Sequence, residues 1–156
     1  MEDNQLKKEP ILNDKAIIQV GMIVKDIEET SRAYAEFFNV DVPEIVWTGE
    51  FKDANQHYKG EPVESRAKQS FFDMGSVQLE LIEPDNGPST WRDHLEKHGE
   101  GVHHIAFMVD GMKNTVARFE SHDMPLIQKG EYTGGRYAYL DTFDKLKLVV
   151  ELLEND

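Results

Sequence analysis

The chain has no cysteine among its 156 residues. Disulfide scaffolds, thiolate catalysis and cysteine-ligated zinc are therefore excluded, and any metal must be held by histidine, carboxylate or amide. Basic residues are scarce: 17 Lys and Arg stand against 30 Asp and Glu, a formal net charge of −13. No basic cluster is present, so no nucleic-acid partner is expected, because such a face needs concentrated Lys and Arg. Long apolar runs are missing too. The least interrupted, Ala16 to Val24, falls far short of a membrane span. The first ten residues, MEDNQLKKEP, lack the apolar segment of a signal peptide. The expectation is a soluble, cytoplasmic protein that engages no membrane and opens on a polar tail over 1–15. The 39% of hydrophobic residues suffices for the core of one domain or two small fused modules.

What is present is an internal repeat. The stretch QVGMIVKDIEET (19–30) lies over HIAFMVDGMKNT (104–115) at an offset of 104 − 19 = 85. VQLELIE (77–83) lies over LVVELLE (148–154) at an offset of 151 − 80 = 71. Each copy reads as a strand, a helix, then two or three strands. In the first helix Asp26 is a candidate N-cap with Glu29 three residues on, and the apolar stripe is Ile27, Tyr34 and Phe37 or Phe38. The second helix starts near Asp110 with Met112, Val116 and Phe119. The modules span 16–84 and 101–156. Between them, 85–100 reads as a turn and a linker helix from about Thr90 to His98, with Gly99 to end it.

Strand side chains alternate between faces. Ile18, Val20, Met22 and Val24 share one face of the first strand, with Gln19 opposite. His104 lies opposite Ile105, Phe107 and Val109, and the same alternation places His103 on the face away from His104. Glu80 and Glu151 each stand opposite an all-apolar set. Every strand thus has one face suited to pack a helix and one strong metal-ligand type on the other. A buried, unpaired carboxylate tends to be protonated, paired or bound to a cation. The repeat superposes Gln19 on His104 and Glu80 on Glu151, so a pseudo-twofold axis would bring all four to one point. One Gln, one His and two Glu suit a divalent cation in octahedral geometry, with two positions left for water or substrate. Taken singly, a strand histidine is more often simply hydrogen-bonded, and a strand glutamate is more often solvated.

The string EGVHHIAFMVD (100–110), preceded by ELIEP (80–84) and the intervening helix, resembles the vicinal oxygen chelate superfamily of glyoxalases, epimerases, extradiol dioxygenases and bleomycin-resistance proteins. Together with TGGRYAYLDT (133–142) it is most similar to the methylmalonyl-CoA epimerases. The resemblance covers 16–154. It implies an α+β fold of two paired βαβββ modules, forming a curved eight-stranded mixed sheet around a metal cavity. It also implies metal ligands at Gln19, Glu80, His104 and Glu151, with zinc, cobalt, nickel or manganese as the divalent ion, and a homodimer. Gln19 stands where the epimerases have histidine, which makes the ligand set similar to that of glyoxalase I. The glutathione-holding residues of that enzyme are not matched: Ile23, Pro84 and Glu100 occupy their places. The second acid or base of the epimerases falls near Gln69 or Ser70, neither of which is a carboxylate.

The activity implied is proton transfer α to a carbonyl by way of a metal-stabilised enolate, in an epimerase or isomerase acting on a small carbonyl compound or acyl thioester. Glu151 and Glu80 are the candidate bases. The alternatives are a glyoxalase I-type (lactoylglutathione lyase-like) lyase acting on a hemithioacetal, and a non-catalytic small-molecule-binding resistance protein. A ring-cleaving dioxygenase is disfavoured, because Gln19 removes one of its two histidines. Gly134, Gly135 and Arg136 read either as a substrate-carboxylate loop or as an ordinary tight turn. The polar segment 41–68 reads as a lid, a substrate wall or a solvated loop with one hairpin strand.

Overall fold

A computed structural model describes residues 9–156 of the chain. The expected tail over 1–15 lies partly outside them. Its described end is not fully solvated: Ile11 and Leu12 pack on the second module, and Arg118 Nε donates to the Ile11 carbonyl at 3.0 Å.

The first module holds β1 (Gln19–Ile23), α1 (Ile27–Phe38), β2 (Val46–Trp47), α2 (Phe51–Ala54), β3 (His57–Tyr58), β4 (Glu61–Pro62), β5 (Ala67–Asp73) and β6 (Gln78–Pro84). The linker helix α3 (Thr90–His98) follows, then β7 (Gly101–Met108), α4 (Met112–Glu120), β8 (Leu126–Tyr132), β9 (Gly135–Leu140), α5 (Phe143–Leu146) and β10 (Val149–Asn155). The strands form one mixed sheet in the order β2-β5-β6-β1-β7-β10-β9-β8-β3-β4. The fold is α+β, with a curled sheet whose two halves meet where β1 pairs antiparallel with β7.

Ten strands are present where eight were expected. The extra pair is the hairpin β3–β4, which leaves the first module and adds to the edge of the second: His57 pairs with Lys129 and Tyr58 with Gln128. Lys59 (φ 52°) and Gly60 (φ 81°) form its turn. Positive φ at both central residues matches the twist of a two-residue hairpin, and Gly60 adopts it without steric strain.

Local chemistry sets the helices. Asp26 caps α1 by accepting from the Glu29 N–H at 3.0 Å, and Ser89 caps α3 by accepting from the Arg92 N–H at 3.0 Å. α4 begins at Gly111, which has no capping side chain. Glu154 Oε2 accepts instead from the Gly111 and Met112 N–H groups, at 2.7 and 2.8 Å. Tyr34 and Phe38 of α1 pack against Phe72, whereas Phe37 is 79% exposed, so Phe38 belongs to the apolar stripe. Val24, Ile27, Ala35 and Leu81 complete that layer, and Phe107, Met112, Phe119 and Leu152 build its counterpart under α4. A third cluster joins Ile23, Ile82, Trp91, Tyr139 and Val149. Each such side chain contributes roughly 1.5–3 kcal/mol on burial.

The repeat is visible in the register. Gly21 stands opposite Glu80 in the parallel pair β1–β6, and Ala106 opposite Glu151 in β7–β10. Across the junction Gly21 faces His104 and Gln19 faces Ala106. Small residues therefore occupy the two positions over which the larger ligand-type side chains lie.

Candidate metal centre

The junction brings the four expected side chains together, and all are buried. His104 Nε2 lies 3.0 Å from Gln19 Oε1, 3.4 Å from Glu80 Oε1 and 3.6 Å from Glu151 Oε1. Ligand atoms about 2.1 Å from a shared ion stand about 3.0–3.4 Å apart in octahedral or tetrahedral geometry. The three separations fall at or near that range. Glu80 Oε1 has no hydrogen-bond partner among the described residues. A buried carboxylate oxygen left without a partner is unfavourable, and a cation at this point would satisfy it. The residues present fit a divalent ion.

Each of the four is held by one neighbour that the alternation pattern gives no reason to single out. Gln19 donates its amide to Gln78 Oε1 at 2.8 Å, which leaves Oε1 facing His104. Gln69 Nε2 donates to Glu80 Oε2 at 2.9 Å. The Tyr139 hydroxyl stands near enough to Glu151 to favour its ionised form, and it accepts from Trp91 Nε1 at 3.1 Å. His103 Nδ1 lies 2.9 Å from His104 Nδ1.

That last contact corrects the expectation that His103 points away. The β1–β7 register shifts between Gly21, opposite His104, and Met22, opposite Val102, so β7 carries one extra residue. The bulge interrupts the alternation, and both rings lie on the inner side. His103 is fully buried, with its ring against Tyr139 at 5.2 Å between centroids.

Burial governs the electrostatics. It raises the Glu80 carboxyl well above the ordinary value, helped by the nearby Glu151 charge and opposed by the Gln69 bond. It pushes Glu151 up to about 8, opposed by the Tyr139 hydroxyl. It lowers His104 to about 3, so the imidazole is neutral near pH 7. The close His–Glu contacts are therefore not ion pairs in the metal-free protein. A metal ligand set needs a neutral imidazole, which His104 supplies, and ionised carboxylates, so a cation entering here would displace protons from Glu80 and Glu151.

A cavity of about 820 Å³ lies between the segment 41–68 and the β8–β9 hairpin; it is lined by neighbours of the cluster and by none of the four side chains themselves. Its wall includes Trp47, Gln69, Trp91, Tyr132, Arg136 and Tyr137. Gln69 is one bond from Glu80, and Trp91 is bonded to Tyr139, which stands near Glu151. The segment 41–68 thus supplies part of the cavity wall. Thr133 and Gly134 form the tight turn between β8 and β9, with Gly134 at φ 89°. Gly135 and Arg136 begin β9, and the Arg136 guanidinium is bound to Glu154 (2.7 Å) and Asp156. An acidic group of three, Asp26, Glu28 and Glu83, lies on the outer face. Capping explains it: Asp26 and Glu83 accept from helix N–H groups, and Lys68 Nζ lies 3.4 Å from Glu28 and from Glu83.

The model of the Glyoxalase/Bleomycin resistance protein/Dioxygenase superfamily matches residues 18–139. The chain belongs to this superfamily. The chain is similar to YqjC of Bacillus subtilis (strain 168), described as uncharacterized. It is 33% identical over 94 residues, spanning 58% of this chain and 67% of that protein. The superfamily fold is shared with the hypothetical protein BH1468 from Bacillus halodurans C-125, with a TM-score of 0.62, 19% identity, and coverage of 90% of this chain and 94% of that one. It is also shared with a methylmalonyl-CoA epimerase in complex with methylmalonyl-CoA and NH4+, with a TM-score of 0.60, 21% identity, and coverage of 90% and 94%. No helix among the described residues is long and apolar enough to cross a membrane.

Proposed function

We propose that the protein is a metal-dependent isomerase or epimerase that moves a proton α to a carbonyl. The observation that carries this reading is the convergence of Gln19 Oε1, Glu80 Oε1 and Glu151 Oε1 on His104 Nε2, with Glu80 Oε1 otherwise unpartnered. Those four side chains would hold the divalent ion. Zinc, cobalt, nickel and manganese all suit nitrogen and oxygen donors. When bound, such an ion polarises a substrate carbonyl and stabilises the negative charge that develops on its oxygen.

The remaining chemistry falls to the chain. Glu151 is the first candidate base: burial raises its proton affinity when no ion is bound, and a ligand carboxylate that swings off the ion would regain that affinity. Glu80 is raised by the same burial. One carboxyl removes the α-proton and the other returns it, giving inversion, or a single carboxyl does both, giving isomerisation. Gln69 holds Glu80 in place by donating to it, and the Tyr139 hydroxyl stands near Glu151. Trp91 and Tyr137 line the neighbouring cavity.

The epimerase with the shared fold binds methylmalonyl-CoA, which supports an acyl thioester as substrate class. A second reading, a glyoxalase-type lyase acting on a hemithioacetal, is favoured by the cavity wall. There Arg136 is bound to two carboxylates, and the place of the epimerases' second acid or base falls, by the resemblance, near Gln69 or Ser70, neither of which is a carboxylate. The proton movement is the same in both. The test is heavy-water exchange at the α-carbon of methylmalonyl-CoA, run beside loss of hemithioacetal absorbance, with protein loaded in turn with each of the four metals. Exchange in wild type that is abolished in Glu151→Gln supports the isomerase. Hemithioacetal loss without thioester exchange supports the lyase. Neither activity at full metal occupancy overturns both and leaves a binding protein.

A further inference from the structure

His103 takes no part in the chemistry above, yet it is fully buried and hydrogen-bonded at both ring nitrogens. Nδ1 lies 2.9 Å from His104 Nδ1, and Nε2 lies 3.1 Å from Thr90 Oγ1. Two Nδ1 atoms in contact require that one carries a proton and the other does not. The Thr90 hydroxyl can donate or accept. The three groups therefore have two complete hydrogen-bonded arrangements.

In the first, His104 Nε2–H donates to Gln19 Oε1, which can only accept. His103 Nδ1–H then donates to His104 Nδ1, and the Thr90 hydroxyl donates to His103 Nε2. In the second, both bonds of His103 are reversed and the bond from His104 to Gln19 is given up. His104 Nδ1–H donates to His103 Nδ1, His103 Nε2–H donates to Thr90 Oγ1, and the His104 Nε2 lone pair faces Gln19, Glu80 and Glu151. Only the second leaves His104 able to ligate a cation.

We propose that His103 and Thr90 form a reversible tautomer relay that positions His104, switching it from the first arrangement to the second when a divalent cation enters. This rests on the metal-binding reading of the site. Protons balance. The His104 Nε2 proton leaves to water on the site side, and the His103 Nδ1 proton crosses to His104 Nδ1. His103 Nε2 takes a proton from Thr90, which is resupplied from water. Each ring stays neutral and no net charge moves. The outer end of the relay has access for that resupply: Thr90, His94 and His103 line a cavity of about 360 Å³ on the far side of the cluster. The bulge in β7 makes the arrangement possible, since a regular strand would separate the two rings. His103 and Thr90 are positioning residues; they touch neither cation nor substrate.

The test is 15N NMR of histidine-labelled protein with and without zinc, combined with zinc affinity from competition against a chromophoric chelator. In wild type, His104 is expected as the Nε2–H tautomer and His103 as Nδ1–H without metal, and both exchange tautomers on zinc addition. His103→Leu is expected to weaken zinc binding by about 10–100-fold, the usual effect of losing such a partner. His103→Gln, whose carbonyl accepts from His104 Nδ1–H, should recover most of that affinity, as should Thr90→Ser after the loss caused by Thr90→Val. Zinc binding in wild type with no tautomer change at His103, or with His103→Leu unaffected, overturns the relay and leaves the metal site standing. No zinc, cobalt, nickel or manganese binding in wild type overturns both. The wild-type spectra decide the relay even where a variant fails to fold.

Discussion

Gly21 lies beneath the imidazole of His104: a Cβ on Gly21 would fall 2.0 Å from Cε1, 2.4 Å from Nδ1 and 2.5 Å from Nε2. Both residues sit in the sheet as direct cross-strand partners, so neither backbone can withdraw without breaking the β1–β7 junction. Gly21→Ala should therefore evict the ring. We expect metal binding to fall more than about 100-fold and stability to drop by about 1–3 kcal/mol, typical of overpacking a close contact. Titration calorimetry and urea unfolding measure the two effects. A Gly21→Ala protein with wild-type metal affinity would show that the ring is not seated over Gly21.

Burial of Glu151 should destabilise the metal-free protein progressively as pH rises from about 5 to 8. Glu151 ionises near the ordinary glutamate value when unfolded but only at about 8 when folded. Between those values the folded state binds more protons, so the contribution of Glu151 is intact below the lower value, falls across the interval, and is gone above the upper one. Glu151→Gln is neutral in both states. Its stability relative to wild type should grow by roughly 2–4 kcal/mol from pH 5 to 8. His103 and His104, lowered by burial, oppose this as pH falls below the ordinary histidine value, but they cancel in the difference between the two proteins. Urea melts across pH in the presence of chelator give the curve; a flat difference would refute it.

The Tyr139 hydroxyl favours the ionised form of Glu151 and accepts from Trp91 Nε1. Tyr139→Phe removes that hydroxyl, so the pH of half-maximal zinc binding should rise by about 0.5–1 unit. It also strands the buried Trp91 N–H, a loss of about 1–3 kcal/mol. Adding Trp91→Phe should restore part of that stability while leaving the pH shift in place. Zinc titrations between pH 5 and 8 separate the two effects.

Gln69→Glu would set a second carboxyl against Glu80 Oε2, now 2.9 Å from the Gln69 amide. Two carboxyls at that distance share one proton. Zinc affinity at pH 7 should fall about tenfold, and fewer protons should be released per zinc bound, because Glu80 already holds one in wild type and the new carboxyl can keep the shared one. Calorimetry in buffers of different ionisation enthalpy counts them; an unchanged count would mean that the new side chain has turned away.

Much of the site was readable from side-chain alternation and the repeat. Gln19, His104 and Glu151 each stand as the strong ligand type among apolar residues of a strand face, Glu80 shares its face with Gln78 and Ile82, and the repeat superposes the four in pairs. The caps at Asp26 and Gly99 were readable because they depend on neighbours in sequence. His103 was misread because alternation assumes a regular strand, and the bulge arises from the antiparallel junction with β1 rather than from residues around it. Gln69, Gln78, Thr90 and Tyr139 look like ordinary residues until the sheet curls and brings them beside the ligands. The Lys59-Gly60 turn carries a local signal, but its partner strand is β8, some 70 residues away (128 − 58), and only the closed sheet brings the two together.

The hairpin also determines how the sheet ends. Its last strand, β4, exposes Glu61 and Pro62, and Pro62 has no N–H to offer an incoming strand. At the opposite edge β2 is two residues long, and its Trp47 is overlaid by Arg66 and Lys68 at 5.3 and 5.5 Å. A short strand beside cations and a strand bearing proline and glutamate are both poor templates for strand addition. Among the described residues, neither edge invites edge-to-edge aggregation. A second copy of this chain would therefore associate through helices or sheet faces, and the assembly would not lengthen the sheet.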